Sequence, residues 1–273
     1  MFSPRLIAPA LLAAILSQPA TIGRTVLATV LDERGRATVD VDADDFVVRE
    51  AGQPREVLTA RVADYPVAVL LDVSDAAAAD LPALKAAASR FIERIGDRPI
   101  ALATIGAHPR LAADFDTPRA AVLERLGALQ PDPGAPLPIE ALVQAARAIV
   151  SAGAPFSSMV VVSAAPAGAS PAATSALAEI VASGAIVHVI ERQARAGVRA
   201  LDDLQTLTQQ THGQFTAVYT PASYPIALDH LADRLSTEML VEYLTASRQP
   251  VAADAVTVGV KRPGARVVGL GVR

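Results

Sequence analysis

The sequence predicts an α/β fold: a doubly wound, mostly parallel sheet with a small accessory β module formed by N- and C-terminal strands. Between residues 65 and 235, short apolar runs alternate with longer stretches of helical periodicity, the rhythm of parallel βα units. The runs are almost continuously apolar, as strands covered on both faces are. On either side, over residues 24–62 and 236–273, apolar and polar residues alternate with period two between Gly, Pro and Asp clusters, which is the pattern of antiparallel strands.

Residues 1–20, MFSPRLIAPALLAAILSQPA, carry Arg5, then an apolar segment from Leu6 to Leu16, then small and polar residues. This order predicts a secretory signal peptide. The apolar core is shorter than the roughly 20 residues of a membrane span. No further span is expected downstream, so the mature chain is expected to be exported, periplasmic or secreted.

The N-terminal β segment, 24–62, reads as TVLATVL, the turn DERGRA, TVDVDADDFVVRE, the turn AGQP and REVLTARV. In the α/β region, 65–235, the expected strands are VAVLLD, PIALATI, SMVVVS and AIVHVI, ending at Asp72, Ile105, Ser163 and Ile190, with QFTAVY, ending at Tyr219, as a fifth. Helical stripes run through Leu81, Leu84, Ala88, Phe91, Ile92 and Ile95, and through Ile139, Leu142, Val143, Ala146, Ile149 and Val150. Leu177, Ile180 and Val181 mark a third stripe, and Val198, Leu201 and Leu204 a fourth. After Leu235 come MLVEYLTA, AVTVGVK and ARVVGLGV, with KRPGAR as the turn between the last two. These terminal strands are expected to pair with the N-terminal ones.

Composition excludes several function classes. With 273 residues, 52% hydrophobic and 19% charged, the chain can bury a full core. A formal net charge of −4 offers no basic face for nucleic acid or an anionic membrane. There is no cysteine, which removes disulfides, thiolate metal sites and a cysteine nucleophile. No GxSxG elbow, GxxxxGK[ST] loop or HExxH is present. His188 lies in a buried strand pattern, His108 and His212 in turns and His230 in a helix, and none has a second ligand at strand or helix spacing.

The stretch VLLDVSDAAAADL, Val69 to Leu81, carries the one motif with metal chemistry in it. In a doubly wound domain, ligands bind beyond the carboxyl ends of the strands, and Asp72 and Ser74 stand at such an end. The string DVSDA, with the βα order that follows it, resembles a von Willebrand factor type A domain. The flanking segments TVLATVLDERGRATVDVDADDFVVREAGQPREV and VEYLTA…VTVGVKRPGARVV resemble those of bacterial exported proteins related to that family. The resemblance implies a Rossmann-like fold and a metal-ion-dependent adhesion site, in which Asp-x-Ser-x-Ser is joined by a Thr from a Gly-rich loop and by a later Asp. Such oxygens suit Mg²⁺ or Mn²⁺ with one position left for a partner's carboxylate.

Against that pattern Asp72 and Ser74 match, whereas Ala76 replaces the second Ser. The loop PDPGAPLPIEAL puts Ala135 or Pro136 at the Thr position, and VVVSAAPAG puts Ala164 at the second acid. A methyl group does not coordinate a cation, so the resemblance implies a vestigial site, no catalytic residues and no cofactor. Asp75 or Asp80 is the alternative source of a ligand. An N-cap or helix-dipole role explains Asp80 without metal, and bonding to nearby backbone N–H groups explains Asp72. Recognition of a protein partner, which the sequence does not identify, falls to one of two rim loops: ERQARAGVRA, where Arg192, Arg195 and Arg199 are suited to gripping carboxylates, or the small-residue loop SAAPAGASP, where alanines and prolines offer a modest apolar patch. The expected function is non-enzymatic protein–protein interaction. The alternatives are a Mg²⁺- or Mn²⁺-dependent adhesion module with substituted ligands and a hydrolase with an unrecognised site.

Overall fold

A computed structural model describes residues 22–166, 173–193, 203–246 and 255–272. The segment expected as a signal peptide lies outside them. The N-terminal region supplies β1 (Ile22–Leu31), β2 (Ala37–Thr38), β3 (Phe46–Glu50), β4 (Gln53–Arg55) and β5 (Val57–Val62). TVDVDADDFVVRE is not one strand: a 3₁₀ turn at Ala43–Asp45 precedes β3. Its aspartates are poor strand formers that favour turns. Ala51 and Gly52 reverse the chain between β3 and β4 with φ of 49° and 77°, the twist a two-residue hairpin requires.

The α/β region follows in order: β6 (Val67–Asp72), α1 (Leu81–Arg94), β7 (Ile100–Ile105), β8 (Arg110–Ala113), α2 (Arg119–Ala128), α3 (Pro138–Ala152), β9 (Ser158–Ser163), α4 (Ala173–Ala182), β10 (Ile186–Arg192), α5 (Asp203–Gln210), β11 (Phe215–Val218) and α6 (Tyr224–Ser236). The sheet order is β11-β10-β9-β6-β7-β8. The five expected strands are parallel, and β8 adds an antiparallel edge on β7. Every residue of β6, β7 and β9 is buried, because helices cover both faces. Val67, Val69 and Leu71 pack on the side of α1, α2 and α6, while Ala68 and Leu70 pack on the side of α3, α4 and α5. The predicted stripes hold except at Val150, exposed near the end of α3, and Val181, exposed near the end of α4. Of the fourth stripe, Leu204 is buried in α5, and Val198 and Leu201 lie outside the described residues.

The chain ends in β12 (Glu238–Thr245), β13 (Val256–Val260) and β14 (Arg266–Val272). β1 runs antiparallel between β12 and β14, and β12 pairs on its other side with β5. β13 joins β3 and β4 in a second sheet. KRPGAR is a turn, yet the two strands it joins enter different sheets. Val26, Ala28, Val30, Met239, Val241 and Tyr243 fill the space with Phe46 and Val48. Leu27 and Leu240 point the other way, into the α/β core. The sheet around β1 is therefore covered on both faces, which explains the dense apolar run in MLVEY. Among the described residues no helix is long and apolar enough to cross a membrane.

Candidate functional site

The parallel register brings Asp72 level with Ile105 of β7, and Leu71 level with Val162 of β9, one residue before Ser163. The loops leaving β6, β7, β9 and β10 thus converge beyond Asp72, the place where an open α/β sheet binds ligands.

Asp72 is fully buried. Its Oδ1 accepts the backbone N–H of Ser74 at 2.9 Å, and its Oδ2 accepts that of Ala164 at 2.9 Å, with Ser163 Oγ at 3.2 Å. The Ser163 hydroxyl also stands 2.6 Å from the Ala165 carbonyl, and the Tyr224 hydroxyl of α6 donates to the Ser163 carbonyl at 3.0 Å. Asp72 therefore ties the end of β6 to the end of β9. Burial pushes the Tyr224 phenol above its ordinary range, so it stays a hydrogen donor. Ser74 is fully buried too, and its Oγ has no partner among the described residues.

The two aspartates that stood as alternative ligands are otherwise engaged. Asp75 Oδ2 accepts the Gly134 N–H at 2.9 Å, clipping the β6 loop to the loop before α3. Asp80 does occupy the N-cap position of α1, but its side chain makes no cap hydrogen bond. Its carboxylate instead pairs with the Arg192 guanidinium. A backbone in the α region leaves Asp80 at the helix entry, where β-region dihedrals favour the capping bond.

Arg192 is not a loop residue. β10 runs two residues past Ile190 and includes it, paired with Val218. Its Nε donates to the Ala164 carbonyl at 3.0 Å, and Nη1 holds Asp80. Ala164 thus gives its N–H to Asp72 and its carbonyl to Arg192, so the backbone of one residue binds both the acid and the guanidinium. The side chain of Arg192 is 33% exposed at the rim. Arg195 and Arg199 lie outside the described residues.

A second cluster, which the sequence reading did not single out, borders this rim. Asp132 donates its N–H to the Val73 carbonyl at 2.7 Å, and its carboxylate accepts the His108 N–H at 2.7 Å, with His108 Nδ1 at 3.1 Å. The His108 contacts hold the Asp132 carboxyl below its usual range. A Cβ on Gly106 would stand 2.5 Å from Asp132 Oδ2, so this close approach requires glycine. The sequence signal was the Gly-Ala-His turn after an apolar strand. His188, by contrast, is buried, accepts the Gln214 N–H at 3.1 Å and is held at about 3 by burial, so it stays neutral.

Divalent metal does not fit these residues. Asp72 and Asp75 carry backbone donors, Asp80 carries a guanidinium, and Ala76, Ala135 and Ala164 offer only methyl groups. Among the described residues no three His, Asp or Glu side chains are grouped to hold a metal.

No protein-family model matches the chain, and no curated protein matches it. Solved structures do. A von Willebrand factor type A protein from Catenulispora acidiphila is 13% identical over 91% of this chain and 72% of its own, with a TM-score of 0.50. Proximal thread matrix protein 1 from the mussel byssus is 12% identical over 64% of this chain, with a TM-score of 0.51. The match spans 48% of the mussel protein, about half its length. At these identities the likeness concerns architecture, and together with the parallel sheet ending at Asp72 it establishes that this chain has the fold of a von Willebrand factor type A domain.

Proposed function

We propose that the chain is an exported, non-enzymatic protein-interaction module that uses the carboxyl-end rim of its parallel sheet without a metal ion. The observation that carries this reading is the Asp80–Arg192 pair beside Asp72. The three rim carboxylates, Asp72, Asp75 and Asp80, already have partners, and the Arg192 guanidinium stands partly exposed beside them. Arginine grips carboxylates with directed N–H donors, so an acidic protein surface is the fitting partner. The order of residues 1–20 supports export. The partners of Asp72 are two amides and a serine hydroxyl, and those of His108 and His188 lie elsewhere, which supports a binding role over hydrolysis.

The test uses the full chain as bait on an envelope fraction in EDTA, with cross-linking to locate the contact. Expected are retention in EDTA, cross-links to residues 72–80 and 132–136, and loss of retention in Arg192→Glu. Retention that requires Mg²⁺ or Mn²⁺, or cross-links confined to the β module, would sink the proposal.

A further inference from the structure

We infer that the Arg192 guanidinium is a resident cation: it stands in for a metal ion at the strand ends and excludes metals, so its removal converts the rim into a divalent-cation site. The inference rests on the metal-free part of the reading above and deepens it.

The argument starts from charge. Asp72 is fully buried and Asp80 is 8% exposed, and a buried carboxylate is retained only with donors or a countercharge. Asp72 has its donors from the backbone. Asp80, with no cap bond, has Arg192. The guanidinium is fixed at two atoms, since Nε is held by the Ala164 carbonyl while Nη1 is held by Asp80. It therefore does not swing away to admit a competitor at low cost. Its positive charge, held on the same residue, Ala164, that binds Asp72, repels any second cation brought to the same oxygens.

Taking the guanidinium away leaves oxygen donors behind. The Asp80 carboxylate and the Ala164 carbonyl lose their partner at one stroke. The Ser74 hydroxyl, buried beside Asp72, already has no partner among the described residues. Two oxygens, a nearby anionic carboxylate and water make a weak but real site for Mn²⁺ or Mg²⁺, which keep several waters and take a few carboxylate or neutral oxygens. Such an ion would restore the charge balance that the arginine had provided.

The experiment compares the native full chain with Arg192→Ala, Arg192→Gln, Arg192→Lys and Arg192→Ala/Asp80→Ala. It reads the paramagnetic resonance of free Mn²⁺ and the melting temperature, with and without EDTA. The native chain is expected to leave millimolar Mn²⁺ free and to melt at one temperature throughout. Arg192→Ala and Arg192→Gln are expected to melt lower in EDTA, to take up Mn²⁺ and to recover by roughly 3 °C in its presence. Arg192→Lys, which keeps a cation, is expected to behave like the native chain, and the double variant is expected to lose the uptake.

Mn²⁺ uptake by the native chain overturns the inference. So does a folded Arg192→Ala that takes none, or a double variant that takes as much as the single one. If the single variants unfold in EDTA, refolding by Mn²⁺ supports the inference and failure to refold overturns it. A partner captured in EDTA alongside variants without Mn²⁺ uptake removes this inference and leaves the interaction module. Variants that gain Mn²⁺ without any captured partner do the reverse.

Discussion

At the carboxyl ends of the parallel strands, Asp72 has donors on both oxygens and Asp80 holds Arg192. At the amino ends, where the β module meets the sheet, another buried charged group is arranged differently. Glu238, at the start of β12, accepts the Tyr65 hydroxyl on Oε2 and has no partner on Oε1 among the described residues. Ser158, at the start of β9, donates to the same Tyr65 hydroxyl at 3.2 Å. Arg98, 4% exposed, lies 4.3 Å over the Tyr65 ring and donates one N–H to the Leu235 carbonyl at 2.6 Å, while its Nε and Nη1 have no partner among the described residues. Burial pushes the Glu238 carboxyl above the ordinary range, against the pull of Tyr65, Arg98 and Arg234. The comparison teaches that the rim satisfies its charges with backbone amides and a fixed guanidinium, whereas the junction leaves three charged-group atoms without a partner among the described residues. Low-dielectric surroundings make the first arrangement stiff and the second costly.

The largest expected effect is therefore at the rim. Asp72→Ala deletes the acceptor shared by the Ser74 and Ala164 amides and frees the end of β9 from the end of β6. Orphaned buried donors cost about 1–3 kcal/mol each, so a loss of about 3 kcal/mol in urea unfolding is expected. Asp72→Asn recovers only part of it, because one oxygen becomes an NH₂ facing an N–H. A loss below about 1 kcal/mol would mean that the rim amides find water and that the contrast with the junction is false.

Arg98→Met is expected to cost less, about 1–2 kcal/mol, through the lost bond to Leu235 and the lost stacking on Tyr65. Part of that loss is offset, since two guanidinium nitrogens no longer stand buried without partners. The same change removes a cation that favours ionised Glu238 and so pushes its carboxyl further up. Urea midpoints measured beside those of Asp72→Ala check the order, and a larger loss for Arg98→Met would invert the comparison.

Legibility followed burial and sequence distance. VAVLLD, PIALATI and SMVVVS were readable as strands because cover on both faces forces an unbroken apolar run. β8 was not, since RLAA is a four-residue edge that is half exposed. α2 buries only Val122 and Leu126 and shows little stripe. Asp72 and Ser74 were legible as a strand end with oxygens, and the alanines as missing ligands. The pairing of Asp80 with Arg192 was hidden, because the two stand 112 residues apart and nothing local marks an arginine as the partner of a helix-entry acid. One signal existed: the apolar run AIVHVI leads directly into Glu191 and Arg192, so the strand could extend to them. Ala164, legible as a lost side chain, acts through its backbone N–H and carbonyl, which no side-chain motif records.

The smallest effect is expected at Glu238, and its sign follows from the raised carboxyl. An unfolded Glu titrates near 4.3, and the folded group titrates higher because burial disfavours its charge. Its contribution is thus fully present below about pH 4.3 and is lost as the pH rises through the folded value. Glu238→Gln keeps an acceptor for the Tyr65 hydroxyl and cannot ionise. Relative to this variant the native chain is expected to be most stable in acid and to lose ground as the pH rises from about 4.3 through the raised folded value, by less than Arg98→Met costs. Urea midpoints of both chains across that range measure the difference directly. If the two curves run parallel, Glu238 is charged and satisfied in the folded protein, and the junction buries its acid as completely as the rim does.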